Sequence, residues 1–103
     1  MHFEKSAYLV GNFTITNPLL MKEYLAQAGP LVQKFGGKMV LSTDALKPLE
    51  GSAQPVFVII QFPDMEKASS FYQSEEYAPV KQLRIEATTG GFLALTDGQP
   101  AHN

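Results

Sequence analysis

From Ser6 to Ile15 the side chains alternate, which predicts a strand. Ala7, Leu9, Gly11, Phe13 and Ile15 share one face; Tyr8, Val10, Asn12 and Thr14 share the other, which is mixed rather than fully polar. The period then becomes helical. Asn17-Pro18 predicts a helix start, with Asn as the cap and Pro at the first helical position. Leu20, Tyr24, Leu31 and Phe35 line one helical face, with Met21, Ala28 and Val32 beside it. Gly29-Pro30 predicts a kink or break, because Pro30 has no N–H for the carbonyl of Ala26. Gly36-Gly37 ends the helix, Gly36 serving as a left-handed cap.

Lys38 to Thr43 predicts a second strand, and Asp44 to Gln54 a connection containing Pro48, Gly51 and Ser52. Pro55 to Phe62 is rich in β-branched and aromatic side chains and predicts a third strand. Val56, Val58, Ile60 and Phe62 form one of its faces; Phe57 and Ile59, joined by Gln61, form the other. Asp64 then caps a second helix with Met65, Ala68, Phe71 and Tyr72 on its apolar side. Ser74 predicts another N-cap, with Glu75 and Glu76 near the positive helix end. Tyr77, Val80, Leu83 and Ala87 continue as a separate short helix that Gly90-Gly91 breaks. Phe92 to Thr96 predicts the last strand, before a polar tail from Asp97 to Asn103.

This order reads as β-α-β-β-α-β, the ferredoxin-like α+β pattern: a four-stranded antiparallel sheet with two helices on one face. It predicts one domain over residues 1–103, with a core from about residue 6 to residue 98. Because the third strand is apolar on both sides, the uncovered sheet face needs a lid. Each Val, Ile or Phe left in water forgoes about 1.5–3 kcal/mol. The expectation is a homodimer whose two sheets face each other and form a shared barrel-like core.

Charge and composition narrow the function. Eight Lys and Arg against 10 Asp and Glu leave a net charge of −2, which speaks against a nucleic-acid partner. No apolar run nears the roughly 20 residues that cross a bilayer, so no membrane partner is expected. No signal-peptide pattern follows Met1, and a cytoplasmic location is expected. There is no cysteine, and His2 and His102 stand at the termini without metal-ligand neighbours, so no metal is expected. A terminal histidine is usually exposed and disordered. Neither a Gly-x-Ser-x-Gly elbow nor a nucleotide-binding glycine loop is present, and no cofactor is expected.

Several polar side chains remain as candidates. Arg84 is the only arginine, and its planar fork suits a carboxylate of a ligand or of a protein partner such as Glu50 or Glu86. Glu50, before Gly51, could act as an acid or base if buried, or hold a turn by hydrogen bonding. Tyr24, Tyr72 and Tyr77 could place hydroxyls in a cavity, or simply pack helix on sheet. Asn12, on the expected barrel side with Tyr8, could orient a small polar ligand or bind backbone across a dimer interface.

Tyr24, Phe35-Gly36-Gly37, Leu49-Glu50-Gly51, Phe62-Pro63, Ser74-x-x-Tyr77 and Leu83-Arg84 together resemble a small bacterial family known only as a domain of unknown function, within the dimeric α+β barrel superfamily. The resemblance runs from about Ala7 to Gly98. Its pattern has a basic residue after Gly-Gly, matched by Lys38, then Glu50-Gly51, Ser74 with Tyr77, and an arginine matched by Arg84. Phe71-Tyr72 stands where many relatives have Trp-Tyr, a departure that touches packing more than chemistry. The superfamily includes cofactor-independent monooxygenases, haem-degrading enzymes, muconolactone-isomerase-like proteins and sensory domains, so the resemblance implies a pocket in each half of the barrel without naming a reaction. The expected function is a homodimeric barrel protein binding a small organic or acidic molecule through Asn12, Tyr24, Lys38, Tyr72 and Tyr77. Two alternatives stand beside it. One is a cofactor-independent enzyme, monooxygenase- or isomerase-like, in which Arg84 polarises an oxygen and Glu50 or a tyrosine handles the proton. The other is a non-catalytic structural or regulatory dimer.

Overall fold

The computed structural model describes residues 5–98. The chain tail from residue 99 and the two histidines, His2 and His102, lie outside those residues. Four strands form, Ser6–Ile15 (β1), Lys38–Thr43 (β2), Val56–Phe62 (β3) and Thr88–Gly98 (β4). Three helices form, Pro18–Lys34 (α1), Met65–Gln73 (α2) and Tyr77–Ala87 (α3). The sheet order is β2-β3-β1-β4, with every neighbouring pair antiparallel.

The ferredoxin-like α+β class holds, but two parts of the expectation are corrected. The element order is β-α-β-β-α-α-β, with three helices rather than two. Ser74 is the reason: its hydroxyl accepts from the Tyr77 N–H and restarts the helix after α2 has ended. Second, the sheet does not close into a barrel. β2 and β4 are its two free edges, and no ladder joins them. The barrel-like core is therefore overturned.

Local signals place the elements. Asn17 Oδ1 accepts from the Leu20 N–H at 3.1 Å, with Pro18 in the first turn of α1. Asp64 Oδ1 accepts from the Lys67 N–H at 2.8 Å and opens α2. At the end of α1, Gly36 takes φ +85°, and the Gly37 N–H donates to the Val32 carbonyl. Of the kink or break expected at Pro30, the break does not occur, since α1 runs through it. Ala26, Gly29 and Pro30 are all exposed, so water can serve the carbonyl that Pro30 leaves without a donor. Nor do Gly90 and Gly91 precede the last strand; they sit inside β4, which follows α3 directly. Asn12 pairs with Phe92 and Thr14 with Thr89, so the two glycines together oppose Phe13 and form a bulge.

The core lies between the sheet and the helices. Ala7, Leu9, Ile60 and Phe62 from the sheet meet Ala28, Ala68, Phe71, Tyr77 and Val80 from the helices. Phe71 is its centre, with ring centroids 4.5 Å from Tyr77, 5.4 Å from Phe62 and 6.1 Å from Phe35. The opposite sheet face carries Tyr8, Val10, Phe57, Ile59, Leu41 and Phe92, none of them buried. Apart from the buried Asn12, that face stays largely apolar, and no helix among the described residues covers it. The sole ion pair among the described residues, Lys34–Glu76, is exposed and contributes at most about 1 kcal/mol.

Candidate functional site

Helix α1 packs its backbone mainly against α3 rather than against the strands. A groove is left between α1 and the β2–β3 half of the sheet. Tyr24, Leu25, Ala28, Val32, Met39 and Ile60 line one part of it, a cavity of about 350 Å³ that also touches Lys38. Leu25 and Met21 carry the same wall onward to Phe13, Ser42, Thr43, Val56 and Val58, around a further hollow of about 320 Å³. The walls are mostly apolar, as a site for a small organic molecule requires.

Tyr24, one of these lining residues, belongs to a cluster of tyrosines with one arginine. Tyr24 Oη lies 2.9 Å from Tyr77 Oη, their rings edge to face. Tyr72 packs on Tyr77 with centroids 5.8 Å apart. Tyr77 is fully buried, and Tyr24 is half-buried. Burial first, then the neighbouring Tyr77, push the Tyr24 hydroxyl well above the usual tyrosine value; the nearby Arg84 guanidinium pulls the other way without cancelling this. Tyr24 thus keeps its proton at neutral pH. A raised value in the fold means that this group's contribution to stability is present below the unfolded pKa of about 10 and is lost as pH climbs above it. Urea titrations of wild type and Tyr24→Phe should show the wild type losing ground to the variant above that pH. A difference that stays constant from neutral to strongly alkaline pH would contradict this.

Arg84 stands in the last turn of α3, half-buried, with its Nε buried and lacking an acceptor. It forms no ion pair with Glu50, Glu86 or any other acid among the described residues. Glu50 is exposed in the β2–β3 connection. Lys38, exposed at the start of β2, touches the end of the groove and a second hollow shared with Ser6, Gln61 and Pro63. Tyr72 borders a separate hollow with Leu9, Leu93, Ala94 and Leu95, and Lys81 Nζ sits 4.5 Å from its ring centroid. Asn12 is buried, with its amide fully used inside the chain. Its Nδ2 donates to the Gln54 and Val56 carbonyls, each at 2.8 Å, and its Oδ1 accepts from the Gln54 N–H at 3.1 Å. Asn12 thereby clamps the β2–β3 connection onto β1, helped by a hydrogen bond from the Thr14 hydroxyl to the Gln54 side chain.

Of the candidates, then, Tyr24, Tyr72, Tyr77 and Arg84 come together, Lys38 shares the groove with Tyr24, and Glu50 and Asn12 stand apart. The groove walls Met21, Leu25, Val32 and Met39 were not among the candidates. They carry no chemical signal in the sequence; only the lean of α1 assembles them.

Fold and groove together define a small ferredoxin-like α+β protein with an open sheet and an apolar slot between helix and sheet. The chain belongs to the family described as a domain of unknown function (DUF1330), matched over residues 6–97. No curated protein matches its sequence. Its fold is similar to that of a protein of unknown function from Rhodopseudomonas palustris, with a TM-score of 0.76 and 16% identity over 97% of this chain and 85% of that one. It is also similar to SnoaB, a cofactor-independent oxygenase from Streptomyces nogalater, with a TM-score of 0.66 and 15% identity over 94% of this chain and 96% of that one. A putative antibiotic biosynthesis monooxygenase from Caulobacter crescentus aligns with a TM-score of 0.61 and 8% identity over 98% and 94% of the respective chains. At these identities the likeness concerns the fold alone.

Proposed function

We propose that the protein is a cofactor-independent enzyme of the oxygenase type, acting on a small apolar organic molecule held in the groove between α1 and the β2–β3 strands. The observation that carries this is the apolar groove lined in part by Tyr24, whose hydroxyl meets Tyr77 and lies near Arg84. The resemblance of the fold to SnoaB and to the Caulobacter protein supports the reaction class.

In such a reaction the substrate supplies the electrons. A methylene acidified by a neighbouring carbonyl loses a proton, and the resulting carbanion passes electrons to dioxygen. The CH2 becomes C=O, one oxygen atom entering the product and the other leaving as water. Tyr24 holds its proton and donates a hydrogen bond to the substrate oxygen on which charge gathers. Arg84, behind it, contributes positive charge to the same place. Glu50 has no part in this reading, because it is exposed on the connecting loop.

Anthrone, a tricyclic ketone with an acidified methylene, is a suitable probe. The protein is expected to speed its conversion to anthraquinone above the uncatalysed rate, with one dioxygen consumed per product. Arg84→Ala should lower that rate about tenfold, a loss of about 1.4 kcal/mol of transition-state stabilisation, while the far-UV spectrum is unchanged. No acceleration by the wild type would reject the oxygenase reading, and an Arg84→Ala chain that merely unfolds would make the arginine structural.

The partner of the uncovered sheet face is proposed to be a second copy of this chain, its open sheet stacked on the first. The exposed Phe92 and Leu41, with the half-buried Phe57 and Ile59 beside them, support this. Sedimentation at micromolar concentration is expected to give twice the chain mass, and a single-chain mass would reject it.

A further inference from the structure

The Tyr24–Tyr77–Arg84 cluster is rich in donors and poor in acceptors. Each tyrosine hydroxyl carries one hydrogen, and among the described residues neither has an acceptor other than the other hydroxyl. Arg84, next to Tyr24, can only donate. Two hydroxyl hydrogens therefore share one contact, so one of them must look elsewhere for an acceptor. Tyr77 is fully buried, and if Tyr24 donated to it, the Tyr77 hydrogen would be stranded in the core. A stranded buried donor costs about 1–3 kcal/mol. Tyr24 is only half-buried and is one of the residues that line the groove, so its hydrogen is the less enclosed of the two. The buried Arg84 Nε–H likewise has no acceptor within the chain.

We propose that Tyr77 is a positioning residue: it donates to Tyr24, and so commits the Tyr24 hydroxyl to donate into the groove, to an enolate or phenolate oxygen of the bound molecule. This rests on the reading of the groove as the substrate site and adds the chemical class the site selects. The ligand must present an oxygen that accepts hydrogen bonds and gains from negative charge. A plain hydrocarbon of equal size leaves the Tyr24 hydrogen and the Arg84 charge uncompensated. A cationic ligand is repelled by the same arginine.

The test uses 2-naphthol, whose fluorescence separates its neutral and ionised forms, bound to the protein without any turnover. Bound to the wild type, 2-naphthol is expected to ionise at least one pH unit lower than in water, a tenfold shift toward the oxyanion. Tyr24→Phe should abolish the shift. Tyr77→Phe should shrink it although Tyr77 does not touch the ligand, and the double variant should titrate like Tyr24→Phe alone. A purely structural Tyr77 would lower thermal stability and leave the naphthol titration where it was. A wild-type titration equal to that in water, a shift that survives Tyr24→Phe, or no naphthol binding up to its solubility limit would each overturn the proposal. Because the readout is ionisation and not oxygen uptake, an inert result with anthrone leaves this proposal standing, and anthrone turnover with an unshifted naphthol titration sinks it alone.

Discussion

Gly91→Ala is expected to cost at least about 3 kcal/mol of folding stability, a large share of the roughly 5–15 kcal/mol that holds a small domain folded. Gly91 sits at φ +71° inside β4, and a methyl group there would run into the carbonyl of Asn12 on the adjacent strand. Backbone cannot step aside as a flexible side chain would. The same carbonyl belongs to the residue that clamps the β2–β3 connection, so a shift at Gly91 disturbs that clamp as well. Urea denaturation checks the figure. Gly29→Ala is the control: nothing lies within 4 Å of the added methyl, and the position is an exposed helix interior. That substitution should stabilise by up to about 1 kcal/mol. If the two alanines behaved alike, the bulge geometry in β4 would be wrong.

Phe71→Ala should be at least as damaging, at about 3–5 kcal/mol. Its ring is 1% exposed and touches Phe62, Phe35 and Tyr77 at once. The vacancy would fall at the junction of sheet, α1 and α2, where the surrounding aromatic rings are too stiff to close over it. Loss of the packing against Tyr77 would also loosen the hydroxyl that faces Tyr24. Thermal unfolding and naphthol titration should therefore both change in Phe71→Ala. A variant with near wild-type stability would mean that the aromatic cluster is not the keystone of the core.

The local punctuation of this fold is legible in the sequence alone. Asn17, Gly36, Asp64 and Ser74 act through bonds to residues three or four positions away, so their role is written in short stretches of chain. Gly90-Gly91 misled for an instructive reason. Two glycines end a helix or permit a strand bulge with the same left-handed angles, and only the register against Asn12 and Thr14 tells which. The barrel was inferred from the apolar outer face of the third strand. That apolar face is real, but four strands pairing in a line leave two edges, and grease on a face cannot close edges. For the site, the residue types were readable and the meetings were not. Tyr24 and Tyr77 lie 53 positions apart, and nothing near either announces the other. Asn12 is legible as a buried amide in need of partners; those partners are the end of the β2–β3 connection and the start of β3, 42 and 44 positions away.

The lean of α1 toward α3 has an evolutionary corollary. Leu25 and Met39, which flank the slot, are 55% and 52% exposed, so changing them removes little that the core depends on. Mutations there can drift at small thermodynamic penalty, while the tyrosine pair behind them is locked in place by the aromatic cluster. One backbone of this kind can thus be retailored to molecules of different girth without first being rebuilt.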